Sequence, residues 1–166
     1  NRKVKVVSYP KNIGRGMALR RGFQESRGEI VVTIDADLSY NPHDILDLVE
    51  ALRSEQDIDF VIASPYMPGG GVQNIPFHRL WISKLGNKII RFAMSNRIYT
   101  STGIFRVYRR KVLDSLELES DGKEIHLEIL SKAIALGYRV KEIPAILTSR
   151  KKGRSKFRLK KTAISH

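Results

Sequence analysis

The sequence predicts an α/β fold with a mostly parallel, twisted sheet flanked by helices. Short β-branched segments alternate with amphipathic segments along the chain, which is the pattern of repeated strand and helix units. Of the 166 residues, 42% are hydrophobic and 28% are charged, the balance of one globular domain. An acidic pair, Asp35 and Asp37, directly follows the most strand-like segment. Ligands of such sheets collect beyond the carboxyl ends of the strands, so this pair marks the expected site.

Composition excludes several classes of protein. The sequence contains no cysteine, which excludes a disulfide framework, a thiol nucleophile and a thiolate metal site, and favours a reducing compartment. No window of 18 apolar residues is present that could span a bilayer. The formal net charge of +13 predicts an anionic partner. Much of this charge falls in residues 139–161, where the alternative is a solvated tail.

The first half of the chain alternates between predicted strands and helices. Gly28 ends the first helix, and Pro42 suits the first turn of the second. The segment at 29–34 is almost continuously β-branched, which predicts a strand buried on both faces. The predicted strands are 4–7, 29–34 and 57–64, and the predicted helices are 15–27 and a segment that begins at Asn41.

The second half begins with a loop at residues 65–76, whose proline and glycine content and length predict a flexible functional segment. A basic amphipathic helix is expected next. The last predicted elements end in two short strands broken at Pro144. The expected ranges are helices at 77–95 and 123–135 and strands at 104–108 and within 138–147.

Asp35 and Asp37 are the sharpest chemical signal. Two carboxylates one residue apart, leaving a buried strand, can both reach a hard divalent cation and leave positions open for phosphate oxygens. The alternative is a pair of carboxylates that cap the next turn. Gly14 and Gly16 open a helix and either present N–H groups to an anion or permit close packing.

Three further groups of residues are candidates. The segment 150–156 combines Arg150 and Lys156 with a glycine and a serine, as suits a loop that closes on a pyrophosphate. Arg79 and Ser83 lie one helical turn apart and either hold a second phosphate or form an ordinary exposed pair. Glu128 is either a half-buried functional acid or a helix residue that faces solvent.

In order and spacing, these residues resemble glycosyltransferase family 2, and within it the dolichol-phosphate mannose synthase group. The resemblance covers nearly the whole chain. The matching positions are Asn12, Gly14, Gly16, Ala18, Gly22, Gly28, Asp35 to Ser39, Pro42, Ser64, Tyr66, Gly69, Gly70, Arg79, Ser83, Asn87, Thr102, Phe105, Arg106, Glu128, Gly137, Glu142, Pro144, Arg150, Gly153, Ser155 and Lys156.

The resemblance implies a GT-A-type domain, with residues 1–166 forming a single, partial domain that lacks its first strand or strands. It implies that Asp35 and Asp37 hold Mg²⁺ or Mn²⁺ and, with Ala36 between them, the diphosphate of a nucleotide-sugar donor. A basic phosphate-binding loop and tail at 148–161 would close on phosphates through Arg150 and Lys156.

The resemblance also implies an acceptor and a place in the cell. Arg79 and Ser83 would contact the phosphate of a polyprenyl or dolichyl phosphate. The enzyme would invert at the anomeric carbon, with a donor of the GDP-mannose or UDP-hexose type, at the cytoplasmic face of an anionic membrane.

Two alternatives stay open. Transfer to a saccharide hydroxyl would need a base, for which Glu128 is the first candidate. A non-catalytic relative that binds a membrane or partner is suggested by Pro65 and Thr100, which replace the arginine and aspartate common in the family. Nucleic acid is not an expected partner, because no aromatic platform or known motif accompanies the charge.

Overall fold

The computed structural model describes residues 4–74, 77–93 and 98–149, and for residues 77–79 and 93 it describes the backbone. Within them, six strands and five helices alternate along the chain. In order they are α1 Arg15–Glu25, β1 Ile30–Thr33, α2 Asp44–Ser54, β2 Phe60–Ser64, β3 Gly71–Gln73, α3 Phe77–Ala93, β4 Arg106–Arg109, α4 Arg110–Asp114, α5 Ile125–Ala135, β5 Val140–Pro144 and β6 Ile146–Thr148.

The α/β class is confirmed, and the main sheet is mixed. Its four strands lie in the order β1-β4-β2-β5. Strand β4 runs antiparallel to both of its neighbours, whereas β2 and β5 are parallel. Strands β1, β2 and β5 therefore point the same way, and their carboxyl ends share one edge with the start of β4. A second sheet pairs β3 and β6 in parallel.

Helices cover both faces of the main sheet. On one face, Phe60 and Tyr108 pack with apolar residues of α4 and α5 and with half-buried residues of α1. On the other face, Val61 and Val107 pack with residues of α2. Strand β2 is buried at all five positions because both faces are covered.

Several sequence predictions require correction. Residues 4–7 are not a strand, and Val4 and Val6 are 90% and 83% exposed. β-Branched residues favour strands only where a neighbouring strand accepts their hydrogen bonds, and no described residue does so here. Strand β1 is not buried on both faces, since half-buried and buried positions alternate along it.

Other corrections concern the middle of the chain. The predicted loop at 65–76 contains strand β3, and its residues 75–76 lie outside the described part. Helix α4 was not predicted, because its five residues are too short to show a period. No helix in the described residues combines the length and apolar character that a membrane crossing needs.

Candidate functional site

The candidate site lies along the sheet edge where β1, β2 and β5 end. Thr33 of β1 and Ile62 of β2 both face Arg106 across the sheet. The segment 35–37 and the segment 64–66 therefore leave the same edge of the sheet, on either side of the start of β4. Segment 98–103 leads into β4 at the same edge. The expectation that the acid pair and the loop after β2 meet at one edge is confirmed.

Asp35 and Asp37 lie in a tight turn after β1, and both are half-buried. The Asp35 carboxylate lies 3.7 Å from the guanidinium of Arg15. Asp37 Oδ1 accepts a hydrogen bond of 3.1 Å from the Ser39 N–H, and Asp37 has further interactions. Leu38, which lies between Asp37 and Ser39, has a φ of 58°, a left-handed conformation that costs a side chain about 1 kcal/mol or more. The backbone strain therefore lies directly after the acidic pair, where the chain turns toward Ser39.

The donor set fits a divalent cation that shares its ligands with phosphate. Within the described ranges, no group of three or more His, Asp or Glu side chains is placed to hold a metal alone. Mg²⁺ and Mn²⁺ are commonly bound by one or two carboxylates together with substrate phosphates and water. The pair of carboxylates at this rim, with Ala36 exposed between them, matches that arrangement.

A fully buried arginine lies beneath the rim. Arg106 donates to the backbone carbonyls of Ser101 at 2.6 Å, Gly103 at 2.8 Å and His126 at 2.9 Å. Among the described residues, no carboxylate pairs with this guanidinium. The three carbonyls satisfy the guanidinium, which fixes the start of β4 and segment 101–103 at the edge where the acidic turn begins.

The segment after β6 begins beside the acidic turn. Thr148 donates to the Ser39 carbonyl from its N–H, at 2.9 Å, and from its hydroxyl, at 3.1 Å. The Ser149 N–H donates to the Gln73 carbonyl at 3.1 Å. The chain thus reaches the cationic segment 150–156 from a point two residues from Asp37. Arg150 and Lys156 themselves lie outside the described residues.

Helix α3 contacts the segment that follows β2 through Ser83. The Tyr66 hydroxyl donates to Ser83 Oγ at 2.7 Å, and Tyr66 lies immediately beyond the end of β2. The side chain of Arg79 lies outside the described part. A cleft of about 510 Å³ separates residues 65–72 from α3, with Lys84 on its wall. Ser83 does not line this cleft; its hydroxyl is bonded to Tyr66.

Segment 98–103 is held by polar contacts from three elements. Glu142 of β5 accepts hydrogen bonds from the N–H groups of Tyr99 at 2.7 Å and Thr100 at 2.8 Å. The Thr100 hydroxyl bonds Ser64 Oγ at 2.7 Å. The Ser101 N–H donates to Asn87 of α3 at 2.8 Å. These contacts join α3 to β2 and β5 at the rim.

Glu128 does not face the acidic turn directly. Partial burial acts to raise its pKa, but hydrogen bonds from Lys132 and from the N–H groups of Glu119 and Ser120 outweigh it and lower the pKa to about 2. The carboxylate is therefore ionised and occupied by donors. These contacts disfavour the alternative in which Glu128 is a general base.

Sequence reasoning missed Arg15 and Glu142 as site residues. Arg15 stands between Gly14 and Gly16, a position where the backbone is in close contact with another segment and the side chain is directed toward Asp35. Glu142 stands in a strand interior, where a carboxylate is uncommon. The signals that could have identified them are an arginine between two glycines and a carboxylate within a predicted strand.

The family model and two similar curated proteins indicate the same class of enzyme. Residues 1–117 match the family described as glycosyl transferase family 2. The chain is 35% identical over 161 residues to polyprenol monophosphomannose synthase of Mycolicibacterium smegmatis, covering 93% of this chain and 60% of that protein. It is 36% identical over 157 residues to dolichol-phosphate mannosyltransferase of Pyrococcus furiosus, covering 93% of this chain and 44% of that protein. It thus spans about half the length of these relatives.

Solved structures show the same fold. Glucosyl-3-phosphoglycerate synthase of Mycobacterium tuberculosis, in complex with phosphoglyceric acid, superimposes with a TM-score of 0.65 at 21% identity. The alignment covers 95% of this chain and 51% of that one. The same enzyme with Mn²⁺ and uridine-diphosphate-glucose gives a TM-score of 0.65 with the same coverage. At this identity the likeness supports the GT-A-like fold.

Proposed function

Because the chain belongs to glycosyltransferase family 2, we propose that it is the donor-binding part of an enzyme that transfers a sugar from a nucleotide-diphospho-sugar to a polyprenyl phosphate. The observation that carries the proposal is the contact of Thr148 with Ser39, which brings the chain beside the acidic turn two residues before segment 150–156. Carboxylates and cations can then hold opposite sides of one metal-bound diphosphate. The named activities of the two mannosyltransferase relatives support this substrate class.

Asp35 and Asp37 would hold Mg²⁺ or Mn²⁺, and Ala36 between them would lie against the donor diphosphate. A divalent ion bound there offsets the charge that develops on the leaving nucleoside diphosphate. The Mn²⁺ in the complex of the structural relative supports a divalent metal. Arg150 and Lys156 would bind the phosphates from the other side, where Arg offers a fork and Lys a point charge.

The acceptor would enter between α3 and the sheet edge, where Arg79 and Ser83 would bind its phosphate. A phosphate oxygen is already anionic at neutral pH, so the attack requires little help from a base. Direct attack by that oxygen on the anomeric carbon inverts its configuration. A phosphate acceptor is consistent with a Glu128 carboxylate that is bonded by Lys132 and by two backbone N–H groups. A saccharide hydroxyl would instead need a free base.

The exposed side of α3 supports action at a membrane surface. Trp81, Ile82 and Leu85 are between 51% and 60% exposed on this helix. Lys84 and Lys88 are also exposed. Apolar side chains flanked by cations suit the boundary of an anionic bilayer, where a lipid phosphate is available. A cytoplasmic face would provide nucleotide-sugar donors and is part of the proposal.

The second candidate function is a non-catalytic relative that uses the same basic surfaces for binding. It is favoured by Pro65 and Thr100, which stand where charged residues are common in the family. Thr100 is buried and bonds Ser64, so it performs a structural role at the rim. Both candidates share the fold, and loss of the acidic pair separates them.

Replacement of Asp37 by Ala tests the proposal. We expect transfer from GDP-mannose or UDP-glucose to a polyprenyl phosphate in vesicles, with Mn²⁺ or Mg²⁺, to fall at least 100-fold in the full-length protein. Lost metal-centred stabilisation of the leaving group is worth several kcal/mol. The matched control is Asp47→Ala, an exposed carboxylate on α2. Unchanged transfer by Asp37→Ala, or no transfer by the unmodified protein with any donor, would contradict the proposal.

A further inference from the structure

Glu128 binds the backbone of the loop that precedes α5. Its Oε1 accepts a hydrogen bond of 2.9 Å from the Glu119 N–H, and Oε2 accepts one of 2.9 Å from the Ser120 N–H. Lys132, one turn later on α5, donates to Oε1 at 2.7 Å. The Glu128 side chain is only 12% exposed. Its two oxygens thus fix the backbone of residues 119–120 to the helix.

The same loop packs directly on the beginning of α1. The Gly16 N–H donates to the Asp121 carbonyl at 2.7 Å. A Cβ at Gly14 would lie 2.1 Å from the Asp121 oxygen, and one at Gly16 would lie 2.1 Å from the Ser120 oxygen. No side chain fits at either position, so the glycines allow two backbone segments to touch. A shift of the loop must therefore move the first turn of α1.

Arg15 stands between these two glycines and faces the acidic turn. Its guanidinium lies 3.7 Å from the Asp35 carboxylate, and both side chains are less than 30% exposed. The first turn of α1 has no acidic residue and no side-chain cap that could fix its position. The contacts of Gly14 and Gly16 with the loop at 120–121, together with the bonds from Arg20 to the Leu118 carbonyl and to Asp121, hold this end of α1 and so position Arg15.

We propose that Glu128 is a positioning residue for the donor site, and that it acts by holding the loop at 119–121 against Gly14 and Gly16 so that Arg15 stays beside Asp35. The inference rests on the proposed function, since it assumes that Asp35 belongs to a metal–diphosphate site. Arg15 adds a cation next to that site, where it contacts the donor diphosphate or orients Asp35 toward the metal. Glu128 thereby acts at a distance, through a rigid backbone contact.

The test is a double-mutant cycle on nucleotide binding. Binding of UDP and of GDP, each with Mn²⁺, is measured by titration calorimetry on the full-length protein. The variants are Glu128→Gln, Arg15→Ala and their combination. Residues that orient metal ligands from outside the ligand set typically change affinity 10- to 100-fold. We expect about a 10-fold loss for each single variant, and a combined loss within about twofold of that for Arg15→Ala alone.

The cycle carries its own controls. Glu117→Gln changes the same charge on an exposed residue of the same loop and should leave affinity unchanged. If Glu128→Gln does not fold, Glu128→Asp keeps the charge, shortens the reach by one methylene, and should give the same non-additive pattern. Non-additivity separates positioning through Arg15 from a general loss of stability, which would add to the effect of Arg15→Ala.

Three results would overturn the inference. Additive losses would mean that Glu128 does not act through Arg15. Unchanged nucleotide affinity in Glu128→Gln would also exclude it, and if turnover were lost at the same time the base alternative would replace it. The third result is an unaltered affinity in Arg15→Ala. Asp37→Ala is a separate arm, because Mn²⁺-dependent binding that survives this change contradicts the proposed function itself.

Discussion

His126 is a neutral, buried side chain under the rim. It is 1% exposed, and within the described ranges neither ring nitrogen has a hydrogen-bond partner. Burial lowers its pKa to about 2, and the cations Arg106 and Arg15 act in the same direction. The ring therefore stays uncharged near neutral pH. Protonation of this ring lowers the free energy of unfolding.

A pH dependence of stability follows at this residue. The folded pKa lies below the unfolded value of 6.5, so the contribution of His126 is present above pH 6.5 and is lost as the pH falls. The slope of one such group is about 1.4 kcal/mol per pH unit. Glu128 adds to this dependence only below its unfolded value of 4.5. We expect the free energy of unfolding to fall between pH 6.5 and 4.5.

Urea unfolding of the full-length protein at several pH values measures this pH dependence of the free energy of unfolding. His126→Leu removes the titrating ring and should flatten the curve in that window. His43→Leu, at an exposed position, should not change the slope. An unaltered slope in His126→Leu would contradict the assignment.

Gly14 and Gly16 show which properties of single residues can be predicted from the sequence. Two readings were open, an anion-binding turn and close packing. The Gly16 N–H is used by Asp121, and a Cβ at either glycine would overlap the backbone of residues 120–121. The structure supports packing. The sequence could not decide, because the partner backbone lies more than 100 residues away along the chain.

Helix α3 illustrates the same limit at the scale of elements. The sequence predicts an amphipathic helix at 77–95, and the structure has α3 at Phe77–Ala93. Residues 94–95 lie outside the described part. The prediction of a basic amphipathic helix did not specify which residues are exposed. Trp81, Ile89 and Phe92 are 60%, 60% and 88% exposed, while Asn87 is buried at 4%. Polar Asn87 faces the rim because it bonds Ser101 there, which leaves the apolar stripe outside.

Replacement of Trp81 by Glu tests whether this stripe contacts lipid. Burial of one large apolar side chain contributes about 1.5–3 kcal/mol. We therefore expect binding of the full-length protein to anionic phosphatidylglycerol vesicles to weaken at least 10-fold in a sedimentation assay. Neutral vesicles should bind more weakly, since each cation near an anionic surface contributes about 1 kcal/mol.

The matched control is Leu46→Glu, a 69% exposed apolar residue on α2. It should bind vesicles as the unmodified protein does. Equal vesicle binding by Trp81→Glu and the unmodified protein would mean that another part of the protein covers the stripe.

At the scale of the whole molecule, long-range contacts bring the chain at Thr148 back to the acidic turn. The acidic turn lies near residue 37 and the cationic segment near residue 150. Thr148 makes two hydrogen bonds to Ser39, two residues after Asp37, and β6 is fixed by its pairing with β3. Net charge alone predicted an anionic partner, whereas the topology of the sheets determines that the chain at Thr148 lies beside the acidic turn.

A paired substitution tests the role of the cationic segment. Arg150→Ala with Lys156→Ala should weaken binding of UDP or GDP with Mn²⁺ by about 10- to 100-fold, since hydrogen bonds to charged groups contribute about 1.5–3 kcal/mol. The salt dependence of binding should also become less steep, because fewer charges contact phosphate.

The control pair, Arg27→Ala with Arg53→Ala, removes the same charge at exposed positions outside the proposed site. Its nucleotide affinity should change less than twofold. Equal losses in both pairs would assign the effect to net charge rather than to specific contacts.

The sequence by itself determined the α/β class, most element positions and the family, because hydrophobic period, turn residues and motif spacing are local properties of the chain. It also placed Asp35 and Asp37 at a strand end. The tertiary structure decided the antiparallel course of β4, the pairing of β3 with β6, and the contacts of Glu128, Glu142 and Arg15. These depend on which distant segments meet in space, and a local pattern does not contain that information.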